Sequence, residues 1–130
     1  MTTITIALPT TDRVRTAAFY RALGFETSGE PAEDGLPEPL RFALNEHTEL
    51  MFAPTGGFGW VIGNEPVGTG EAKECVLGLA LGSPAEVDEF VERSRRAGAG
   101  VLIEPGRRLD PNRYAATTTD PDGHALMATG

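Results

Sequence analysis

The sequence predicts an α+β fold built from two β-α-β-β-β modules, and three observations carry that expectation. A strand run, a capped helix and a helix-ending glycine occur twice in the same order. The two occurrences stand 73 residues apart, with Ile6 matching Leu79, Val14 matching Val87 and Ala17 matching Phe90. The chain's 16 glycines and 10 prolines punctuate the sequence in a pattern that repeats.

In the first module, about residues 3–54, Thr3 to Leu8 alternates as a half-buried strand does. Thr10 and Thr11 offer N-caps for a helix over Asp12 to Leu23, with Val14, Ala17, Ala18 and Ala22 at helical spacing. Gly24 ends that helix and Phe25 begins a strand. Gly29 to Pro39 is acidic and Pro-rich and reads as an exposed, mobile loop. Leu40 to Leu44 and Thr48 to Ala53 are strand-like and are joined by the polar Asn45-Glu46-His47. A connection over 55–74 holds six glycines with Phe58 and Trp60 embedded, and reads as a flexible linker or a loop over a site.

The second module, about 75–129, repeats the order with clearer signals. Val76 to Leu81 is an apolar strand, and Ser83-Pro84-Ala85-Glu86 is a capping box with proline at the first helical position. Val87, Phe90, Val91, Ser94 and Ala97 form one helical face, and Gly98 closes the helix before a strand at Val101 to Ile103. Tyr114 to Thr119 and His124 to Ala128 follow, separated by the turn former Asp120-Pro121-Asp122-Gly123. The whole, 1–130, is expected to be a single domain.

Composition agrees with one globular domain: 130 residues, 40% apolar and 23% charged. A chain of this length buries a core without disulfide or metal staples. Its one cysteine, Cys75, reads as a small core hydrophobe in a reducing cytoplasm. Met1 to Asp12 lacks the basic and apolar stretches of a signal peptide, and no membrane span is expected. The net charge of −8 argues against a nucleic-acid partner, since the arginines at 93, 95, 96, 107, 108 and 113 are interleaved with carboxylates. By long-range attraction the same charge favours a cationic ligand.

Ile6-Ala7-Leu8-Pro9-Thr10-Thr11-Asp12, then Ala18-Phe19-Tyr20-Arg21-Ala22-Leu23-Gly24-Phe25, and the closing Asp120-Pro121-Asp122-Gly123-His124 resemble the vicinal oxygen chelate superfamily of glyoxalases, bleomycin-resistance proteins and extradiol dioxygenases. That resemblance implies paired βαβββ modules in a curved mixed sheet around a cavity, often completed in a homodimer. In metal-dependent members it implies a divalent ion on four strand residues, usually His, Glu or Gln, acting as a Lewis acid on two substrate oxygens. Carried onto this chain, the four positions fall on Thr5, Glu49, Val76 and Met127. A neutral hydroxyl, an alkyl group and a thioether are poor ligands for a hard ion, so no metal and no other cofactor are expected.

The remaining residues point to binding more than to chemistry. His47 and His124 both lie beside turns, with no ligand spacing between them and a carboxylate. Glu49 is the one catalytic candidate, and it either lines a cavity with Met51 and Ala53 or faces solvent. Gly56-Gly57-Phe58-Gly59 has neither a phosphate-loop nor a dinucleotide spacing. Glu49, Met51, Phe42, Phe58, Trp60 and Met127 are the expected ligand contacts, with core packing the competing role for Phe42 and Phe52. The leading reading is a metal-free, cytoplasmic homodimer that sequesters a small aromatic or cationic molecule. Two others stand beside it: a metal-dependent lyase, isomerase or dioxygenase using Glu49, His47 and His124, and a non-catalytic interaction module.

Overall fold

In the first half, the alternation of Ile4–Thr10 becomes strand β1, and Asp12 starts helix α1, Arg13–Ala22. The computed structural model describes residues 2–68 and 70–130, so Thr69 of the expected connection lies outside the described residues. The chain divides into two compact units, Met1–Thr69 and Gly70–Gly130.

In the first unit, β2 (Leu40–Asn45) and β3 (Thr48–Pro54) form a hairpin, and β1 adds to β3 in parallel, giving a three-stranded mixed sheet in the order β1-β3-β2. The strand expected to begin at Phe25 does not form. What remains of it is a single bridge, Thr27 to Phe42, because the chain turns into the loop at Gly29 after one pairing. The N-cap is Asp12 rather than Thr10 or Thr11, and its carboxylate accepts from the Arg15 amide at 3.1 Å. Thr10 instead closes a buried side-chain bond with Thr16 at 2.8 Å.

The buried face of α1 also differs from the expected one. Thr16, Ala17, Phe19 and Tyr20 face inward, while Val14 is 58% exposed. Ring size explains the rotation. Tyr20 meets Phe42 at 5.6 Å and Phe52 at 4.9 Å between centroids, and burying three rings outweighs burying Val14 and two alanines.

Two segments expected to be loose are anchored. The 29–39 loop buries Leu36 and Pro37, and Arg13 reaches it through ion pairs to Asp34 at 3.2 Å and Glu38 at 3.6 Å. The Gly-rich connection begins as helix α2, Thr55–Val61, packed against β1 and β3. Gly59 is buried there, and a Cβ on it would stand 3.4 Å from a methyl of Val67. Three glycines in seven residues are poor helix formers, so α2 depends on its packing against the two strands.

The second unit has the full β-α-β-β-β order: β4 (Val76–Ala80), α3 (Pro84–Arg96), β5 (Val101–Asp110), β6 (Arg113–Thr119) and β7 (Ala125–Thr129). Its mixed sheet runs β4-β7-β6-β5, with β4 parallel to β7. The capping box forms as expected, Ser83 Oγ accepting from the Glu86 amide at 3.3 Å. Val87, Phe90, Val91 and Ser94 are the buried face of α3. Cys75, expected in the core, is exposed one residue before β4. Together the two units give an α+β fold with two mixed sheets of three and four strands. Among the described residues no helix is long and apolar enough to cross a membrane.

Candidate functional site

Side chains alternate across a sheet, so the rings that touch Tyr20 define one face of the first sheet and the intervening residues define the other. Phe42 and Phe52 are on the α1 face and fully buried. Phe42 is thus removed from the expected ligand contacts, since its ring is committed to the aromatic core. The opposite face carries Thr5 and Ala7 from β1, Glu49 and Met51 from β3, and Arg41 and Ala43 from β2.

The register makes Thr5 and Glu49 direct partners across β1 and β3. Thr5 Oγ1 donates to Glu49 Oε1 at 3.1 Å, and Arg41 Nε stands 3.9 Å from the same oxygen. Glu49 therefore neither points freely to solvent nor sits in an apolar pocket, being 26% exposed at the side chain and flanked by a hydroxyl and a cation. Arg41 had no place among the candidates that the sequence suggests. Counting back through the Asn45-Glu46-His47 turn would have placed it opposite Met51, the pairing that the hairpin adopts.

In the second sheet, Met127 is partnered by Gly78 on β4 and Thr117 on β6, so the three share a face. Val76, the position taken from the resemblance, lies two residues earlier on that face, opposite Ala125. The 73-residue offset likewise relates Thr5 to Gly78. Neither Val76 nor Gly78 supplies a donor atom from its side chain.

Phe58 and Trp60 are both on α2. Phe58 is half-buried, whereas Trp60 is 77% exposed and the adjacent Val61 75% exposed. The two histidines belong to turns. His47 caps the β2–β3 connection through its own amide, which donates to Asn45 Oδ1 at 2.9 Å. The His124 amide donates to Asp120 Oδ1 at 2.9 Å, as does that of Asp122, so the buried carboxylate of Asp120 holds the Asp-Pro-Asp-Gly turn together. Gly123 completes that turn at φ 88°, a conformation that favours glycine.

A separate polar cluster lies on α3 and the β5–β6 hairpin. Tyr114 donates its hydroxyl to Asp88 Oδ1 at 2.6 Å, and the Arg107 guanidinium sits 5.9 Å from the ring centre. The hydrogen bond to Asp88, partial desolvation and the Asp88 charge all raise the Tyr114 pKa, against the opposing charge of Arg107.

The divalent ion implied by the resemblance does not fit these residues. Its four positions offer one carboxylate, already engaged by Thr5, beside a hydroxyl, a thioether and a side chain with no donor. Among the described residues no three His, Cys, Asp or Glu side chains are grouped to hold an ion, and His47, Glu49 and His124 are not brought together as a ligand set.

Solved structures of the same fold are numerous. A hypothetical protein from S. aureus is 23% identical, with a TM-score of 0.81 and 99% of this chain and 93% of that chain covered. A glyoxalase/bleomycin resistance protein/dioxygenase family enzyme from Burkholderia phytofirmans PsJN is 18% identical, with a TM-score of 0.74 and coverage of 96% and 94%. An antibiotic binding protein from Streptomyces sp. CB03234 is 22% identical, with a TM-score of 0.63 and coverage of 98% and 93%. No curated protein matches the chain in sequence. Residues 4–128 match the family model of the Glyoxalase/Bleomycin resistance protein/Dioxygenase superfamily, and the chain belongs to that superfamily.

Proposed function

We propose that this protein binds a small, partly aromatic molecule without a resident metal and without a catalytic step. The donor set carries the reading: of the positions that the resemblance implies, Glu49 alone keeps a carboxylate or imidazole, and one of its oxygens accepts from Thr5 with Arg41 Nε 3.9 Å away. The antibiotic binding protein of the same fold supports a binding role within this superfamily. Candidate contacts in the first unit are Glu49, Met51, Phe58 and Trp60, and in the second unit Met127. A homodimer belongs to the proposal, supported by the large exposed apolar side chains Trp60 and Val61 side by side on α2. A reducing, cytoplasmic location suits the lone exposed thiol of Cys75.

The test is ligand-observed NMR of a set of aromatic fragments, together with metal analysis and solution mass of protein purified without chelator. Binding of at least one fragment, no stoichiometric metal and a mass twice that of the chain are expected. A full equivalent of zinc, nickel, iron or manganese would overturn the metal-free reading. Failure of every fragment to bind would overturn the ligand-binding one.

A further inference from the structure

We propose that Arg41 and Glu49 form a neutral, dipolar anchor that selects a ligand carrying an uncharged carboxamide-like group, an adjacent donor and acceptor, over a cation or an anion. The inference rests on the small-molecule-binding reading and names the chemistry of that same sheet face.

The two side chains oppose each other in charge 3.9 Å apart, beyond hydrogen-bond distance. Arg41 Nε is shielded from water and has no hydrogen-bond partner, yet the side chain as a whole is 44% exposed. Its accessible surface therefore lies on the stem and the two Nη groups, which have no hydrogen bond to any described residue. Glu49 is half-satisfied in the same way. Oε1 accepts from Thr5, and no described residue donates to Oε2. The face thus offers unused N–H donors beside an unused carboxylate acceptor.

A carboxamide answers both, its carbonyl accepting from Arg41 Nη and its N–H donating to Glu49 Oε2. A carboxylate would gain Arg41 but be repelled by Glu49, and an ammonium would suffer the reverse. The net charge of −8 is a property of the whole chain and is locally cancelled at this pair. Met51, Ala7 and Ala43 share the face and supply apolar surface for the body of such a ligand.

The experiment titrates benzamide, benzoate and benzylammonium separately into the full chain labelled with 15N and with 13C at the methionine methyls. The Met51 methyl and the Arg41 Nε–H resonance are followed. Benzamide is expected to shift both at concentrations about fivefold or more below those needed for either ion. Glu49→Gln should strengthen benzoate binding, and Arg41→Gln should strengthen benzylammonium binding, each erasing the preference for the amide. Equal or tighter binding of an ion to the unaltered protein would overturn the anchor while leaving small-molecule binding in place. The anchor is equally overturned if neither variant changes the order of the three probes. If none of the three probes shifts any resonance, the anchor is overturned, and small-molecule binding is decided separately by the fragment set.

Discussion

Thr5 and Glu49, 44 residues apart in the chain, are direct cross-strand partners, with the threonine hydroxyl 3.1 Å from the carboxylate. The hydroxyl and the carboxylate satisfy each other across the two strands. In the second sheet the corresponding pair is Gly78 and Met127, which have no such bond to make through their side chains.

The protein is accordingly expected to hold no stoichiometric divalent metal, as measured by inductively coupled plasma mass spectrometry after chelator-free purification. Thr5→His should create measurable zinc or nickel affinity, since it sets an imidazole directly across the strands from the Glu49 carboxylate. Unaltered metal content in that variant would show that the cross-strand pair cannot share an ion.

Phe42 and Trp60 should separate cleanly on truncation. Phe42→Ala empties a fully buried site and is expected to cost about 3–5 kcal/mol of stability. Trp60→Ala removes a ring that is 77% exposed and should shift stability by no more than about 0.5 kcal/mol. Thermal and urea unfolding of both variants decide the point. Trp60 is the chain's one tryptophan, so its fluorescence in the dilute protein should resemble solvated indole and shift to shorter wavelength when a ligand or a second copy covers it.

Asp120→Ala should destabilise the second unit by about 2–4 kcal/mol, because two backbone N–H groups at 2.9 Å lose a buried charged acceptor. Urea denaturation reads the effect. A change under about 1 kcal/mol would mean that water replaces the carboxylate without loss.

Tyr114 should ionise at higher pH than an ordinary tyrosine, because its neutral hydroxyl donates to Asp88 and the Asp88 charge opposes phenolate formation. A raised pKa in the folded state means that the bond's stabilisation is fully present below the ordinary tyrosine pKa. It is lost as pH rises through the folded value. Ultraviolet difference titration of the protein against Tyr114→Phe isolates the group, and Asp88→Asn should bring its transition down. An unchanged midpoint in Asp88→Asn would remove Asp88 as the cause.

Local chemistry made the second unit far more legible than the first. Ser83-Pro84-Ala85-Glu86 and the apolar spacing from Val87 to Ser94 each specify a helix and its buried side within a few residues, and both are found as expected. Around α1 the same reasoning failed. Val14 and two alanines have the right spacing for a buried stripe, but the winning face is set by Phe42 and Phe52, more than 20 residues further along. Likewise, glycines at 56, 57 and 59 argue against helix, and the packing of α2 on β1 and β3 is a tertiary contact that local reasoning does not see.

The family and the β-α-β-β-β order of the second unit were readable from residue types and spacing, because periodicity and caps are local properties. Which residues meet was not readable in that way. Register is a long-range choice, and a shift of one residue would send Glu49 and Arg41 to opposite faces of their hairpin partners. The tertiary structure alone brings Thr5, Arg41 and Glu49 together, assigns Phe42 to the core, leaves Trp60 exposed and sets Gly78 rather than Val76 beside Met127. Those placements follow from burying three aromatic rings under α1 and completing two hydrogen-bonded ladders, terms that exist only once distant segments are in contact.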